Sequence, residues 1–181
     1  MSNSVLEVTG ETRKVWNEFW KLGEARTNVP VIRARVKLTQ PGQANCRQFA
    51  VETGSGHTFL VDDPAGATGP KPIELVAVAL AGCTAFDVIT ILRGKKRQQV
   101  TGYEVLVEAE QAERPPQVFV AVRIHHVVRG QVIDAAAVSE AIRISEEKYC
   151  AVEAMLKPSA VVRTTFEVIN ESPTPLPGSM A

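Results

Sequence analysis

The chain lacks an excess of charge of either sign. Its 20 Lys and Arg balance 20 Asp and Glu, which removes the electrostatic case for nucleic acid or an anionic membrane as partner. Cysteine is scarce as well. Three thiols, Cys46, Cys83 and Cys150, do not make a secreted disulfide framework. A reducing cytoplasm is the expected compartment, and there a disulfide is more often catalytic than structural. The first residues, MSNSVLEVTGETRK, have no basic start followed by an apolar run, so no secretory signal is read there. Metal-ligand spacing is missing too. His125 and His126 are adjacent on an expected strand and point to opposite faces, and with His57 and Cys46 they match no known ligand pattern. Neither a metal nor a cofactor is expected.

What is present is one long apolar stretch, GPKPIELVAVALAGCTAFDVITIL from Gly69 to Leu92. No acidic or basic side chain falls between Glu74 and Asp87. Pro70 and Pro72 suit a helix start, where a residue needs no N–H partner. Thr68 or Gly69 can cap it, Glu74 faces the positive end of the dipole, and Arg93-Gly94 suit its end. With apolar residues on nearly every face, the helix reads as buried all round. Glu74 and Asp87 interrupt the run, so it reads as a core helix and not a membrane span.

The flanking segments alternate. Val31–Leu38, Cys46–Glu52 and His57–Val61 read as a three-strand meander separated by turns at Gln40–Gln43 and Gly54–Gly56. Val100–Glu110 and Val118–Val128 read as a long antiparallel hairpin around Glu113-Arg114-Pro115-Pro116, with Gly130 closing it. Val132–Leu156 returns to helical spacing, split at Ser145. Asp134 opens the first helix, with Val138, Ala141 and Ile142 inward; Ser145 caps the second, placing Cys150 just over one turn inside it. Lys157-Pro158 stops it, and Val161–Ile169 is the last strand. The order (α)-β-β-β-α-β-β-α-α-β implies an α+β fold with a mainly antiparallel sheet. Residues 1–30 read as a helical arm, with both tryptophans, Trp16 and Trp20, on a helix over 10–26 that docks on its own domain or on a second copy. Residues 31–170 form the main domain, and the Pro- and Ser-rich 171–181 reads as a disordered tail.

Taken by position alone, a buried free cysteine is usually a small hydrophobe. Two features point the other way. Cys150 lies near a helix N-terminus with Lys148 close in sequence, which favours thiolate. Asp87 lies one turn after Cys83 on the same face, either as a structural anchor in an oily helix or as part of a proton relay; the anchor is favoured.

The stretch KPIELVAVALAGCTAFDVI, the hairpin after it, and EKYCAVEAML together resemble the OsmC/Ohr family (osmotically inducible protein C and organic hydroperoxide resistance proteins), most closely its YhfA-type branch. The resemblance covers about residues 31–170. It implies an intertwined homodimer with curved sheets around central helices. It also implies a thiol peroxidase for alkyl or fatty-acid hydroperoxides, recharged by a dithiol reductant. On this resemblance Cys83 is the peroxidatic thiol and Cys150 the resolving thiol. Glu74 stands as the helix-start acid, with Asp87, Phe86 and Tyr149 near the bound substrate.

One departure bears on activation. Peroxidatic members carry a glutamate directly after the helix-start proline, paired with an arginine from the early strands. Here that position, after Pro72, is Ile73, and the acid comes one place later at Glu74, a rotation of about 100°. Arg33, Arg35 and Arg47 are arginines in the matching region. The competing reading is a non-catalytic dimer of the same fold that binds a hydrophobic ligand or acts as a thiol redox sensor.

Overall fold

The computed structural model describes residues 30–171 apart from 41 and 44. The arm helix expected over 10–26 and the tail beyond 171 lie outside the described residues. The chain divides into two compact units at Pro72/Ile73.

In the first unit, β1 (Ala34–Leu38), β2 (Phe49–Thr53) and β3 (Thr58–Val61) form an antiparallel meander in the order β1-β2-β3. The expected strands are all present but shorter. Cys46 falls before β2 rather than opening it, because Thr39 and Gln48 close the loop instead: the Thr39 N–H and hydroxyl both donate to the Gln48 carbonyl, at 3.1 and 3.2 Å. The turn at 40–43 is closed by the Gln43 N–H on the Gln40 carbonyl. The loop after β3 is organised by Asp62, 5% exposed, whose carboxylate accepts from the Asp63 N–H and the Thr68 hydroxyl.

The second unit opens with α1 (Pro72–Thr90), which runs on through a π-helical turn at Ile91–Lys95. The helix therefore passes the expected stop at Arg93-Gly94, because the Lys96 N–H reaches back five residues to the Ile91 carbonyl. Pro72–Lys95 is long and apolar enough to cross a membrane by length and composition alone. Its Leu80, Thr84, Val88, Ile91 and Leu92 are instead buried in the packing of this unit. The expectation that α1 is buried on every face is not met: Val78 is 63% exposed and Phe86 77%. Its buried residues, Leu80, Thr84, Val88, Ile91 and Leu92, fall along one side of the helix.

The hairpin is longer than its apolar runs implied, with β4 spanning Gln99–Gln111 and β5 Phe119–Gln131 in antiparallel register. Gly130 does not close it but lies within β5. A Cβ there would meet the Gln99 carbonyl oxygen at 2.2 Å, so the close approach of the two backbones requires glycine. One face of β5 carries Val122, Ile124, His126 and Val128, all at 1% exposure or less. This is the period-2 pattern of a covered strand face.

Asp134 caps α2 (Ala135–Ile144) as expected, its carboxylate accepting from the Ala136 N–H at 2.9 Å. Val138, Ala141 and Ile142 pack inward on Val88, Ile91 and Leu92. A second π-helical turn, Ser145–Tyr149, leads to α3 (Ala151–Leu156) and then β6 (Val161–Asn170). The β4-β5-β6 sheet is mixed, because β6 pairs with β5 in parallel. The two helices between them carry the chain back to start β6 at the same end as β5.

Candidate active site

Three side chains converge from two distant segments of the second unit. Cys83 and Asp87 lie one turn apart on α1, spaced i,i+4 so that both project from one face. Cys150 arrives from the far side of the hairpin, at the junction of the π turn and α3. The two sulfurs and a carboxylate oxygen of Asp87 all lie within 4.8 Å of one another. All three cysteines are free thiols.

The π turn sets this geometry. The Cys150 N–H donates to the Ser145 carbonyl five residues back, at 2.9 Å. Cys150 then turns extended (φ −71°, ψ 93°) and becomes the N-cap residue of α3. It is thus not inside a helix, as helical spacing had suggested. A turn with one extra residue shifts every later position relative to a 3.6-residue repeat, and such turns concentrate at functional sites. Ser145 is likewise not the N-cap of the following helix but closes the end of α2. Its own N–H already donates to the Ala141 and Ile142 carbonyls, and its buried hydroxyl donates to Asp87 Oδ2 at 2.9 Å and lies 3.4 Å from the Thr84 hydroxyl. Asp87 is therefore anchored from the opposite segment, which supports the anchor role expected for it.

The thiols differ in environment. Cys150 is 3% exposed and sits in a core cluster with Leu80, Phe119, Val122 and Ile124; Cys83 is half-buried and packs against the same cluster. Burial pushes the Cys150 thiol up to about 12; the Glu153 amide works against this, and the neighbouring Cys83 and the Glu153 carboxylate add to it. Glu153 is itself 1% exposed. One of its oxygens is 3.0 Å from Lys157 Nζ and the other has no hydrogen-bond partner.

The same unit holds a polar pair that strand alternation had not flagged as functional, a fully buried His126 and a half-buried Tyr103. The Tyr103 hydroxyl and His126 Nδ1 are 2.7 Å apart, with the rings stacked at 6.0 Å. They are diagonal neighbours on one face of the β4/β5 ladder, where Tyr103 pairs Val128 and Val105 pairs His126. Burial first, and the Asp87 charge second, raise the Tyr103 phenol above its usual range. Burial, with His125 second, lowers His126 to about 4, so its ring is neutral near pH 7. The signal for this pair was present in Val122, Ile124 and Val128, the apolar residues at even spacing around His126. His125 faces the other way, bonded through Nδ1 to the Thr165 hydroxyl at 2.8 Å.

Glu74 is in the first turn of α1, nine residues before Cys83. That is about 13 Å along the helix axis, too far for direct contact with the thiol. Phe86 is exposed, and Tyr149 is 43% exposed with Lys148 Nζ 5.3 Å and Lys95 Nζ 5.9 Å from its ring centroid. In the first unit, Arg47 pairs with Asp63 at 2.7 Å and Arg35 with its cross-strand neighbour Glu52 at 3.8 Å. Cys46 lies 4.0 Å from the Thr39 hydroxyl.

Comparison with known proteins places this arrangement. The OsmC-like protein family matches residues 65–165. Protein YhfA of Escherichia coli K12 is 39% identical over 121 residues, covering 67% of this chain and 90% of YhfA. A hypothetical protein of Aquifex aeolicus VF5 with a crystal structure is 28% identical with a TM-score of 0.69, over 80% of this chain and all of that one. The organic hydroperoxide resistance protein OhrB of Bacillus subtilis shares the fold at a TM-score of 0.52 and 17% identity, over 76% of this chain and 98% of its own. The matched span includes α1 with Cys83 and Asp87, the β4/β5 hairpin and Cys150, and by that match the chain belongs to the OsmC family.

Proposed function

We propose that this chain is a two-cysteine thiol peroxidase for organic hydroperoxides, with Cys83 as the attacking thiol and Cys150 as the resolving thiol. The observation that carries this reading is the convergence of two thiols, far apart in sequence, within 4.8 Å in an apolar cluster. Cys83 is the more accessible of the two, as the attacking thiol must be. Its thiolate attacks the distal peroxide oxygen and the O–O bond breaks, giving a sulfenic acid and an alkoxide that takes a proton to leave as alcohol. The Cys150 thiol then attacks the Cys83 sulfur, and water leaves as the disulfide forms. A dithiol reductant exchanges the disulfide back. The apolar core around the thiols, with Leu80, Phe119 and Val122, favours an alkyl or fatty-acid hydroperoxide over hydrogen peroxide. The hydroperoxide resistance relatives support the same substrate class.

Counting thiols before and after one equivalent of cumene hydroperoxide, in a chelating buffer, tests the reading. The expected result is loss of two thiols per chain within seconds to minutes, with Cys46 retained. Retention of all three would overturn it, and would favour a protein that binds a hydrophobic ligand or senses redox state through the same thiols.

We further propose that the chain works as a homodimer. The exposed apolar side chains Val78 and Phe86 of α1 support it, since large apolar residues clustered on one helix face mark a partner surface. Sedimentation is expected to give twice the chain mass, and Phe86→Glu to lower it to that of one chain. A wild-type mass of one chain would rule the dimer out.

A further inference from the structure

We propose that Cys83, Asp87 and Cys150 form a three-donor site for a thiophilic divalent cation of the zinc class. The inference rests on the same thiol pair as the peroxidase reading but concerns a different chemistry. Two sulfurs and one carboxylate oxygen lie within 4.8 Å of one another. Tetrahedral zinc, with metal–sulfur distances of about 2.3 Å and metal–oxygen of about 2.0–2.2 Å, needs donors roughly 3.5–3.8 Å apart. The separations exceed that spacing by at most about 1 Å. Two of the donors are spaced i,i+4 on one helix, the spacing with which paired helical ligands hold zinc. The third is delivered by the π turn from the opposite segment.

The surroundings suit the role. Ser145 donates to Asp87 Oδ2 at 2.9 Å, which orients the carboxylate, as an outer-shell donor does around metal sites. Gathering two thiols and a carboxylate in a largely buried cluster is unfavourable while all three are anionic, and a divalent cation reverses the sign of that interaction. With three protein donors the fourth position falls to water, as in exchangeable rather than closed structural sites. The occupied site masks both thiols, so cation and hydroperoxide compete for the same sulfurs. Oxidation of the loaded site balances as two metal-bound thiolates, one hydroperoxide and two protons giving a disulfide, an alcohol, water and the free cation.

Titrating the reduced, chelator-stripped full chain with Cd2+ and Co2+ tests the site. One cation per chain is expected, with a sulfur-to-Cd charge-transfer band and tetrahedral Co2+ absorption that Zn2+ displaces. Cys83→Ser and Cys150→Ser should each weaken Zn2+ by about 100-fold or more, and Asp87→Asn by about 10-fold or more with the charge-transfer band retained, at least the scale of outer-shell effects. Cys46→Ser should bind as the wild type does. A second readout needs no variant: bound Zn2+ should protect Cys83 and Cys150, but not Cys46, from alkylation. Absence of the charge-transfer band, wild-type affinity in Asp87→Asn, or protection that misses Cys83 and Cys150 would overturn the site. Thiol loss to hydroperoxide is measured with chelator present, so a chain that oxidises without binding metal refutes the cation site alone. One that binds metal without oxidising refutes the peroxidase alone.

Discussion

Cys83→Ser should abolish hydroperoxide consumption, lowering the rate by roughly three orders of magnitude or more, the scale on which loss of a nucleophile acts. A serine hydroxyl is un-ionised near neutral pH and is a poor nucleophile toward an O–O bond, so nothing at that position replaces the thiolate. Cys150→Ser should behave differently. It leaves the attacking thiol in place, so one equivalent of hydroperoxide should still be consumed and a sulfenic acid should accumulate on Cys83. Turnover should fall because the resolving sulfur is gone. The pair is checked by stopped-flow consumption of hydroperoxide, with sulfenic-acid trapping and peptide mass mapping. Equal loss of the first step in both variants would contradict the assignment of roles. Persistence of the first step in Cys83→Ser would move the attacking role to Cys150 or Cys46.

This asymmetry follows from where each thiol sits. Cys83 occupies a half-buried position midway along α1, where the chain can present a sulfur to an apolar substrate. Cys150 is 3% exposed, so a bulky hydroperoxide has poor access to it, while a sulfenic acid on Cys83 is already within reach. Glu74, at the far end of α1, does not touch this exchange directly. Glu74→Gln should therefore cost at most some rate without stopping the reaction.

Local chemistry made much of this legible. The Asp134 cap, the inward face Val138–Ala141–Ile142 and the long β4/β5 hairpin followed from capping preference and periodicity, which are short-range effects. Cys83 stood out in an otherwise apolar segment, and Cys150 near an expected helix start with Lys148 close in sequence. What was not legible depended on non-standard backbone or on partners distant in sequence. The two π turns add a residue that no 3.6-residue repeat announces, and they moved both the end of α1 and the setting of Cys150. Ser145 has the composition of a cap, and only the position of Asp87 on another helix turns its hydroxyl inward. The parallel pairing of β6 depends on the path of two helices across the sheet. His126 was read only as facing away from His125; its burial against Tyr103 follows from what covers that face of β5.

That burial gives the second large expectation, an acid-linked loss of stability centred on His126. The ring is fully buried, Nε2 has no partner, and its pKa is lowered from 6.5 to about 4, by burial first and by His125 second. Tyr103, its one hydrogen-bonded neighbour, stays a neutral phenol and offers no compensating negative charge. The unfolded chain therefore takes up a proton near pH 6.5 that the folded chain refuses until about pH 4. Since the unfolded state binds more protons across that window, stability falls as pH falls through it. Above pH 6.5 the penalty is absent; by pH 5 it is about 2 kcal/mol, and it levels off near 3 kcal/mol below pH 4. Urea unfolding between pH 7 and about 5.5, above the range where most carboxylates titrate, should show this slope. His126→Phe should flatten it whatever its effect on stability at pH 7, and Tyr103→Phe should retain it, because the penalty comes from burying the charged ring rather than from that hydrogen bond. A slope that survives in His126→Phe would place the titrating group elsewhere.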